Sequence, residues 1–428
     1  MPTKTAKTTC ATGLKCDDCG TEYPLSERVN TCPSCGGLLD VTYDLPAMSR
    51  DDLITSLAGR SLTVWRWREF LPIQDPANIV SLGEGYSPLL KCEQIGGSLG
   101  LPDLFVKNDS VSPTGSLKDR SFAIAVSKAK ELGVSQAFTY SSGNAGISLA
   151  AYASRARMKA VVAVNAWASA QKILMMQALG AEVIKLDWDS FEQVDKALAV
   201  LRGELRLYEF VNFVNPFRHE GQKTYAYEIC EQLGWQVPDY MIHPIGTGGG
   251  IFATWKGFNE LKRVGVIKKT PRMIGVQPAA CAPLVDAFLR GSREAVPTGD
   301  AKATIAQSIA SDMPFDRGRR PLRAVYESDG AMVAVTDEQI VASILMLGQE
   351  GIYSEPAGAA TIAGAQMLVR QGVIEPGATV VCVVTGSGLK QPDVLQGMLK
   401  EPVAFKADSV ELVEHVKGLF GDKKAFSH

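Results

Sequence analysis

From about residue 100 to residue 384, short apolar segments with strand character alternate with segments of helical periodicity. Consecutive parallel strands need a crossover connection, usually a helix, so this alternation favours parallel sheets covered by helices on both faces. An α/β fold is therefore predicted. The predicted strands are Leu104–Lys107, Gln136–Tyr140, Lys159–Val164, Glu182–Leu186, Tyr240–Pro244, Arg272–Gln277 and Val380–Val384. The predicted helices include Arg120–Lys130, Ile147–Ala156, Gln171–Leu179, Phe191–Leu201, Gly221–Leu233, Ile251–Val264 and Ser409–Phe420.

Residues 1–44 are predicted to form a separate unit around two Cys-x-x-Cys pairs, Cys16 with Cys19 and Cys32 with Cys35. Four thiolates at this spacing suit one tetrahedral zinc ion, and the glycine after each pair lets the backbone fold back toward the sulfurs. The pattern predicts a zinc ribbon. Two redox dithiols, or free thiols without metal, are the alternatives. Because sulfur would fill all four positions, the predicted zinc is structural.

Residues 45–80 are predicted to connect this ribbon to the body of the protein. They contain the interleaved aromatic and basic run Val64–Phe70. Such a run suits either nucleic-acid stacking or an amphipathic segment packed on its own domain. The formal net charge of −2 favours packing, because it offers no electrostatic argument for a nucleic-acid or membrane partner.

Composition bounds the class of protein. A chain of 428 residues with 46% apolar and 21% charged residues is ordinary for a globular enzyme of two or three domains. No apolar run approaches the length of a membrane span, and the N-terminus lacks a signal-peptide pattern. The five cysteines outside the two pairs are scattered singly, which suits a reducing compartment. A cytoplasmic protein is predicted.

The segment Ser112–Arg120 carries the strongest chemical signal, because it places Lys118 directly after a Pro-Thr-Gly turn and before a helix. Unpaired N–H groups at a helix start create a positive potential that favours the neutral amine. A neutral lysine is a nucleophile for an aldehyde, and pyridoxal phosphate is the common aldehyde cofactor. On this motif alone, a solvated surface lysine is the alternative.

Three small-residue loops follow predicted strands, where open α/β folds bind ligands. Ser141–Gly146 offers hydroxyls, an amide and backbone N–H groups at a helix start. Gly246–Gly250 lets the backbone approach a phosphate closely and lacks the spacing of a dinucleotide or triphosphate loop. Thr385–Gly388 exposes a hydroxyl. Each loop taken singly is also compatible with a plain turn.

With these motifs in place, the chain resembles the fold-type II family of pyridoxal-phosphate-dependent enzymes and, within it, the threonine synthase branch. The matching residues span most of positions 80–395. They are Leu82–Leu89, Pro113–Arg120, Ser142–Asn144, Asn215–Thr224, Glu355–Ala360 and Thr385–Lys390. The resemblance implies two open parallel sheets, a catalytic unit at residues 81–428 with a smaller mobile subdomain at about 120–210, and a homodimer.

The resemblance also implies roles for individual residues. Lys118 would bond covalently to pyridoxal phosphate and later act as a general base. Asn144 would hydrogen-bond the phenolic oxygen of the cofactor, and Thr385 would face its pyridine nitrogen. The cofactor phosphate would be held by Gly246, Thr247, Gly248, Gly249 and Gly250, and the substrate would be held by Ser141, Ser142, Asn212 and Arg218. The implied reaction converts O-phosphohomoserine and water to threonine and phosphate.

Three departures from the family pattern fall where members contact the substrate phosphate. Ala145 replaces a threonine, Phe213 replaces a serine, and Thr247 replaces an asparagine. A leaving phosphate needs charged or polar donors, so another β- or γ-substituted amino acid is the alternative substrate. A zinc-ribbon interaction protein with an inactive body is a further alternative, although the intact Lys118, Asn144 and Thr385 argue against it. His219 and His243 are expected to be packed or surface histidines and not acid–base groups.

Overall fold

The computed structural model describes residues 8–420 apart from 167, 188–192, 194–195, 199, 202–203, 205–206, 302 and 313–314. The chain forms two compact units, residues 1–391 and residues 392–428. The described strands are β1 (Ala11–Cys16), β2 (Glu22–Tyr23), β3 (Leu39–Tyr43), β4 (Leu89–Lys91), β5 (Leu104–Asn108), β6 (Gln136–Tyr140), β7 (Lys159–Asn165), β8 (Glu182–Leu186), β9 (Tyr240–Pro244), β10 (Arg272–Pro278), β11 (Ala331–Val335) and β12 (Val380–Val384).

The described α-helices include most of the predicted helices, with somewhat different bounds, and several that were not predicted. They are α1 (Arg50–Leu57), α2 (Glu93–Leu99), α3 (Lys118–Glu131), α4 (Asn144–Arg155), α5 (Ala170–Ala178), α6 (Arg218–Gln222), α7 (Thr224–Gln232), α8 (Gly249–Val264), α9 (Pro283–Leu289), α10 (Arg319–Glu327), α11 (Asp337–Gln349), α12 (Pro356–Arg370) and α13 (Val410–Phe420). The single helix predicted over Gly221–Leu233 is wrong in detail, because α6 and α7 divide there at Lys223. The helix predicted over Phe191–Leu201 lies partly outside the described residues.

The large sheet has the strand order β11-β10-β9-β12-β5-β4. Its strands run parallel except β4, which pairs antiparallel with β5. The sheet is therefore mixed and not purely parallel as predicted. Every residue of β12 is buried, as expected for a central strand covered on both faces. The α/β prediction is confirmed, although β4 and β11 were not foreseen.

The second sheet has the order β6-β7-β8 and is parallel throughout. Its central strand β7 sits beside α4, which packs on it through buried small and apolar residues. Because parallel strands end at one edge, the loop after β6 and the end of β7 meet there. Ser142 Oγ accepts a hydrogen bond of 2.9 Å from the backbone N–H of Asn165, the last residue of β7.

The ribbon is a small sheet in which β1 pairs antiparallel with both β2 and β3. The connector that follows it contains a short 3₁₀ segment over Val64–Phe70. Within that segment, Trp67 is fully buried, and its ring centroid lies 5.2 Å from that of Tyr227 on α7. The interleaved aromatic run thus packs on the body of the protein.

Helix α13 leaves apolar side chains such as Val410 and Leu419 exposed. Within the described residues, no helix is both long enough and apolar enough to cross a bilayer.

Candidate functional site

The turn before α3 is built to present Lys118 at the helix start. Gly115 adopts φ +72°, and an added Cβ there would lie 3.2 Å from Lys390 Cε, so glycine fits best. Asp119 accepts hydrogen bonds from Thr114 N at 2.7 Å and Thr114 Oγ1 at 2.6 Å, which closes the turn. Lys118 is the first residue of α3 and faces a cleft.

The amine of Lys118 loses its proton unusually easily. Burial, and secondly the positive charge of Arg218, lower the pKa of Lys118 to about 8, while Glu355 opposes this shift. The direction agrees with the prediction from the helix start. The main cause is different, because desolvation penalises the ammonium more than any neighbouring charge does.

Asn144 and Thr385 converge on one carboxylate, that of Glu355. Asn144 Nδ2 donates to both Glu355 oxygens at 3.1 and 2.9 Å, and Thr385 Oγ1 donates to Oε1 at 3.3 Å. Ser308 Oγ donates to the same oxygen at 3.4 Å. On the other side, Lys390 Nζ donates to Asn144 Oδ1 at 3.1 Å. These contacts fix which end of the Asn144 amide faces Glu355.

The glycine loop lies between β9 and α8. Gly248 adopts φ +84°, and a Cβ added there would lie 2.4 Å from Pro321 Cβ, so a larger residue cannot enter without displacing α10. Asn212 Nδ2 donates to Thr247 Oγ1 at 2.6 Å and ties the loop to the segment before α6. The first N–H groups of α8 have no intrahelical acceptor, so the loop and helix start suit a phosphate.

Arg218 is buried in the same cleft without a carboxylate partner among the described residues. Its Nη1 donates to the Phe210 carbonyl at 3.1 Å, its Nε has no partner, and its guanidinium lies 4.6 Å from the centroid of the Phe122 ring. Burial lowers the pKa of Arg218 to about 9. A buried cation is costly unless it is paired, so this arrangement favours an anionic ligand.

The cleft has a volume of about 880 Å³. The predicted site residues that line it are Lys118, Ser141, Asn144, Asn212, Arg218, Gly246, Thr247, Gly248, Gly249, Gly250 and Thr385. Ser142 is not among the lining residues, and its hydroxyl is engaged by the end of β7. Glu355 and Lys390 also take part in the site, although no role for them was predicted from the sequence. Both residues lie in segments that match the family, Glu355–Ala360 and Thr385–Lys390, and this match could have pointed to them.

The departures from the family pattern lie at the cleft or directly behind it. Ala145 lines the cleft. Phe213 is buried with φ +61°, and its ring centroid lies 4.5 Å from that of His219. Burial holds the pKa of His219 well below its usual range and lowers the pKa of His243 to about 3. Both histidines are neutral and buried, so of the two alternatives left open by the sequence, packed or surface, the structure selects the packed one.

The four ribbon cysteines come together at one point. Their sulfur atoms all lie within 4.8 Å of one another. Cys16 Sγ lies 3.5 Å from Cys35 Sγ, and Cys19 Sγ lies 3.6 Å from Cys32 Sγ. Sulfurs bound at about 2.3 Å to a tetrahedral zinc are about 3.8 Å apart, so the cluster has the right size.

Comparison with known proteins identifies relatives of this chain. Residues 80–386 match the family model described as pyridoxal-phosphate dependent enzyme. The chain is 39% identical to the threonine synthase of Methanocaldococcus jannaschii, over 95% of this chain and 99% of that protein. It is 37% identical to the threonine synthase of Methanosarcina acetivorans, over 95% of this chain and 98% of that protein.

Solved structures show the same fold at low identity. Maize serine racemase matches with a TM-score of 0.63 and 18% identity, covering 88% of this chain and 100% of that one. A processed threonine deaminase from Solanum lycopersicum matches with a TM-score of 0.61 and 20% identity, covering 87% of this chain and 90% of that one.

Proposed function

Because this chain belongs to the family of pyridoxal-phosphate-dependent enzymes, we propose that it acts as a threonine synthase, a lyase that converts O-phosphohomoserine and water to threonine and phosphate. Two relatives that carry this name are 39% and 37% identical, each over 95% of this chain. The observation that carries the proposal is the pairing, in one cleft, of a lysine with a lowered pKa and a buried arginine without a carboxylate partner among the described residues.

The residues present fit the cofactor. The loop Gly246–Gly250 is a backbone cradle at the start of a 16-residue helix, and a side chain at Gly248 would collide with Pro321. Lys118 lines the same cleft, as do Asn144 and Thr385. We assign the phosphate to the loop, the aldehyde to Lys118, the phenolic oxygen to Asn144 and the pyridine nitrogen to Thr385.

When bound, pyridoxal phosphate supplies an aldehyde that takes up amino groups and a ring that spreads negative charge from the α-carbon. The chain supplies the positioning and the proton transfers. The amine of Lys118, with its pKa near 8, is suited to accept the α-proton of a substrate and to return protons to neighbouring carbons. Thr385 offers the ring nitrogen a neutral hydroxyl as its direct partner, and this hydroxyl is in turn bonded to Glu355 at 3.3 Å. A neutral partner stabilises a protonated ring nitrogen less than a carboxylate would, which favours elimination and replacement over transamination.

We assign the leaving phosphate to Arg218. Its unpaired Nε can donate a charge-assisted hydrogen bond to the departing anion, and burial strengthens that bond. Asn212 and Ser141, at the cleft wall, are assigned to the substrate, and we keep Ser142 as a proposed contact through its backbone N–H.

A second candidate keeps the cofactor and changes the substrate to another β- or γ-substituted amino acid. It is favoured by the absence of a polar side chain at Ala145 and Phe213, and by the engagement of the Thr247 hydroxyl with Asn212. Incubation with O-phosphohomoserine and with a panel of β-substituted amino acids, with products identified by mass, separates the two. Threonine and phosphate from the first substrate support the proposal. Turnover of a panel member alone overturns it.

We also propose that Cys16, Cys19, Cys32 and Cys35 bind structural zinc, supported by the clustering of their sulfurs. The domain boundaries, the cytoplasmic location and the homodimer remain predictions from the sequence. Metal analysis of the purified protein and its mass in solution test the metal and the oligomer.

A further inference from the structure

The ribbon contacts three helices whose first residues lie at the cleft. Asp17 pairs with Arg320 on α10, and Asp40 pairs with Lys256 on α8. Tyr43 donates a hydrogen bond of 2.5 Å to Glu220 on α6. The first turns of these helices contain Arg319, Gly249 and Arg218, which all line the cleft. The ribbon therefore contacts the three helices that form the side of the cleft assigned to phosphate binding.

The contact between Asp17 and Arg320 is the most buried of the ion pairs between the ribbon and α10. Arg320 Nε lies 2.8 Å from Asp17 Oδ2, with the arginine side chain 1% exposed and the aspartate 28% exposed. Arg320 Nη2 also donates to the Leu39 carbonyl at 3.1 Å, whereas Nη1 has no hydrogen-bond partner among the described residues. Without Asp17, this buried guanidinium would lose its only ion pair within 4 Å among those residues, and Asp40 and Asp316 would remain as more distant charges.

Two contacts lead from α10 to the glycine loop. The Arg320 guanidinium carbon lies 5.8 Å from the centroid of the Phe213 ring, and Phe213 holds a left-handed backbone conformation with φ +61°. The preceding residue, Asn212, donates to Thr247 at 2.6 Å. In addition, Pro321 packs directly against Gly248, as the collision of an added Cβ demonstrates.

We propose that Asp17 is a positioning residue for the loop Gly246–Gly250, acting through Arg320, so that the ribbon holds the phosphate end of the ligand site in place. The inference rests on the proposed function, because the ligand in question is the phosphate of pyridoxal phosphate. It assigns the ribbon a role in ligand binding, in addition to any role in folding. Asp17 itself does not touch the ligand.

A buried arginine is stable in few arrangements, because its charge must be paired. Replacing Asp17 by asparagine keeps the shape of the side chain and removes the charge that holds Arg320. The guanidinium then turns toward water and loses its contact with the Phe213 ring. The start of α10 moves with it, so the packing of Pro321 against Gly248 changes. The backbone N–H groups of the glycine loop lose their alignment, which weakens phosphate binding but not aldehyde chemistry at Lys118.

The test compares Asp17→Asn with Asp18→Asn in the full-length protein. Asp18 is the matched control, because it pairs with Arg319 at 2.8 Å on the surface, where both side chains are more than a third exposed. Arg319 also keeps Asp316 as a partner. Equilibrium affinity is measured for pyridoxal phosphate and for pyridoxal, which lacks the phosphate, together with the zinc content of each variant.

We expect Asp17→Asn to weaken the affinity for pyridoxal phosphate roughly tenfold and to leave that for pyridoxal unchanged. Asp18→Asn should change neither affinity. Arg320→Met should reproduce the effect of Asp17→Asn, and the double variant should be no weaker than either single one. If Asp17→Asn loses zinc, Arg320→Met shows whether the loss of the Asp17–Arg320 contact alone weakens the affinity, because this variant leaves the ribbon sequence unchanged.

Equal affinities of wild type and both single variants for pyridoxal phosphate would overturn the inference. An equal loss for pyridoxal and pyridoxal phosphate would also overturn it, because that result indicates general loosening of the fold. A wild-type protein that does not bind pyridoxal phosphate refutes the proposed function itself, so the two failures are distinguishable.

Discussion

A lysine that reacts as a free amine near neutral pH must be kept from water and from a close carboxylate partner. Lys118 meets both conditions, because burial and the charge of Arg218 lower its pKa more than Glu355 raises it. A sequence motif locates such a lysine but does not reveal its burial. The contribution of Arg218 was equally invisible, since the two residues are a hundred positions apart.

Replacing Lys118 by alanine should abolish turnover of O-phosphohomoserine and the covalent attachment of pyridoxal phosphate, because no other side chain would present the reacting amine at that point. Circular dichroism should show an intact fold. Attachment is measured by mass after borohydride reduction. Lys130→Ala on the same helix is the control, since Lys130 is exposed and donates to the Ala77 carbonyl. Retained turnover in Lys118→Ala would remove this lysine from the mechanism.

The rate at which the apoprotein takes up pyridoxal phosphate should rise with pH and level off above the pKa of Lys118, about 8, because only the neutral amine attacks an aldehyde. Arg218→Met removes a positive charge that lowers this pKa. The midpoint of the pH profile should therefore move upward, by about half a unit to one unit. Arg317→Met, a change at an exposed arginine of the cleft, should leave the midpoint in place. A downward shift in Arg218→Met would contradict the assignment.

Among the elements, strands rich in β-branched residues could be predicted from the sequence. Helices with glycines at close packing contacts or with buried charged residues could not. The composition of β12, Val-Val-Cys-Val-Val, directly predicts a buried strand. Helix α12 contains Gly358 and Gly364, and a Cβ at Gly364 would lie 2.5 Å from Val276. Its glycines are required by close helix–sheet packing, yet they lower the helix propensity on which sequence reasoning depends. Such a conflict is resolved only by the tertiary structure.

Helix α10 was missed for a different reason. Its sequence, Arg-Arg-Pro-Leu-Arg-Ala-Val-Tyr-Glu, has a proline in the first turn and a buried arginine where a sequence pattern expects an apolar residue. The charge of the buried Arg320 is paired with Asp17, which lies 303 residues earlier in the chain. Long-range ion pairs of this kind have no local signature. The positions of Lys118 and the cysteine pairs could be found in the sequence. The long-range contacts that hold the surrounding elements in place could not.

The ribbon is the element whose integrity should depend on metal. Cys16→Ser should reduce the zinc content to background and increase hydrogen exchange across residues 11–43, because three thiolates hold the ion much less tightly than four and the small sheet has little core of its own. Cys10→Ser is the matched control, since Cys10 lies in the same segment but outside the four-sulfur cluster. Zinc-free wild-type protein would contradict the proposal of a metal site.

At the scale of the whole molecule, a buried charge network lies directly behind the site. Arg120, two residues after Lys118, joins α3 to Asp109 at the end of β5 and to Glu228 on α7. Lys107 on β5 lies 2.8 Å from Glu228, and these side chains are fully buried. The network links the large sheet to α3, which carries Lys118, and to α7, which follows the short helix that carries Arg218. Acid should therefore loosen the site and the fold together.

Glu228 makes this expectation quantitative. Burial alone would raise the pKa of Glu228, but Arg120 and Lys107 outweigh it and lower the pKa to about 2. A carboxyl whose pKa is depressed on folding stabilises the protein above its unfolded pKa of about 4.3, and this contribution is lost as the pH falls toward 2. Glu228→Gln should therefore lower the free energy of unfolding by about 3 kcal/mol at pH 7, because it leaves two buried cations with less compensation.

The pH dependence of that difference is the sharper test. Urea titrations of wild type and Glu228→Gln should show the largest gap in free energy of unfolding at pH 7 and a narrowing gap as the pH falls from 5 to 3. Glu22→Gln, which removes an exposed partner of Lys15, should follow the wild-type curve throughout. A gap that stays constant with pH would mean that Glu228 stabilises the fold by packing, and that the buried charges on α3 and β5 are balanced by other groups.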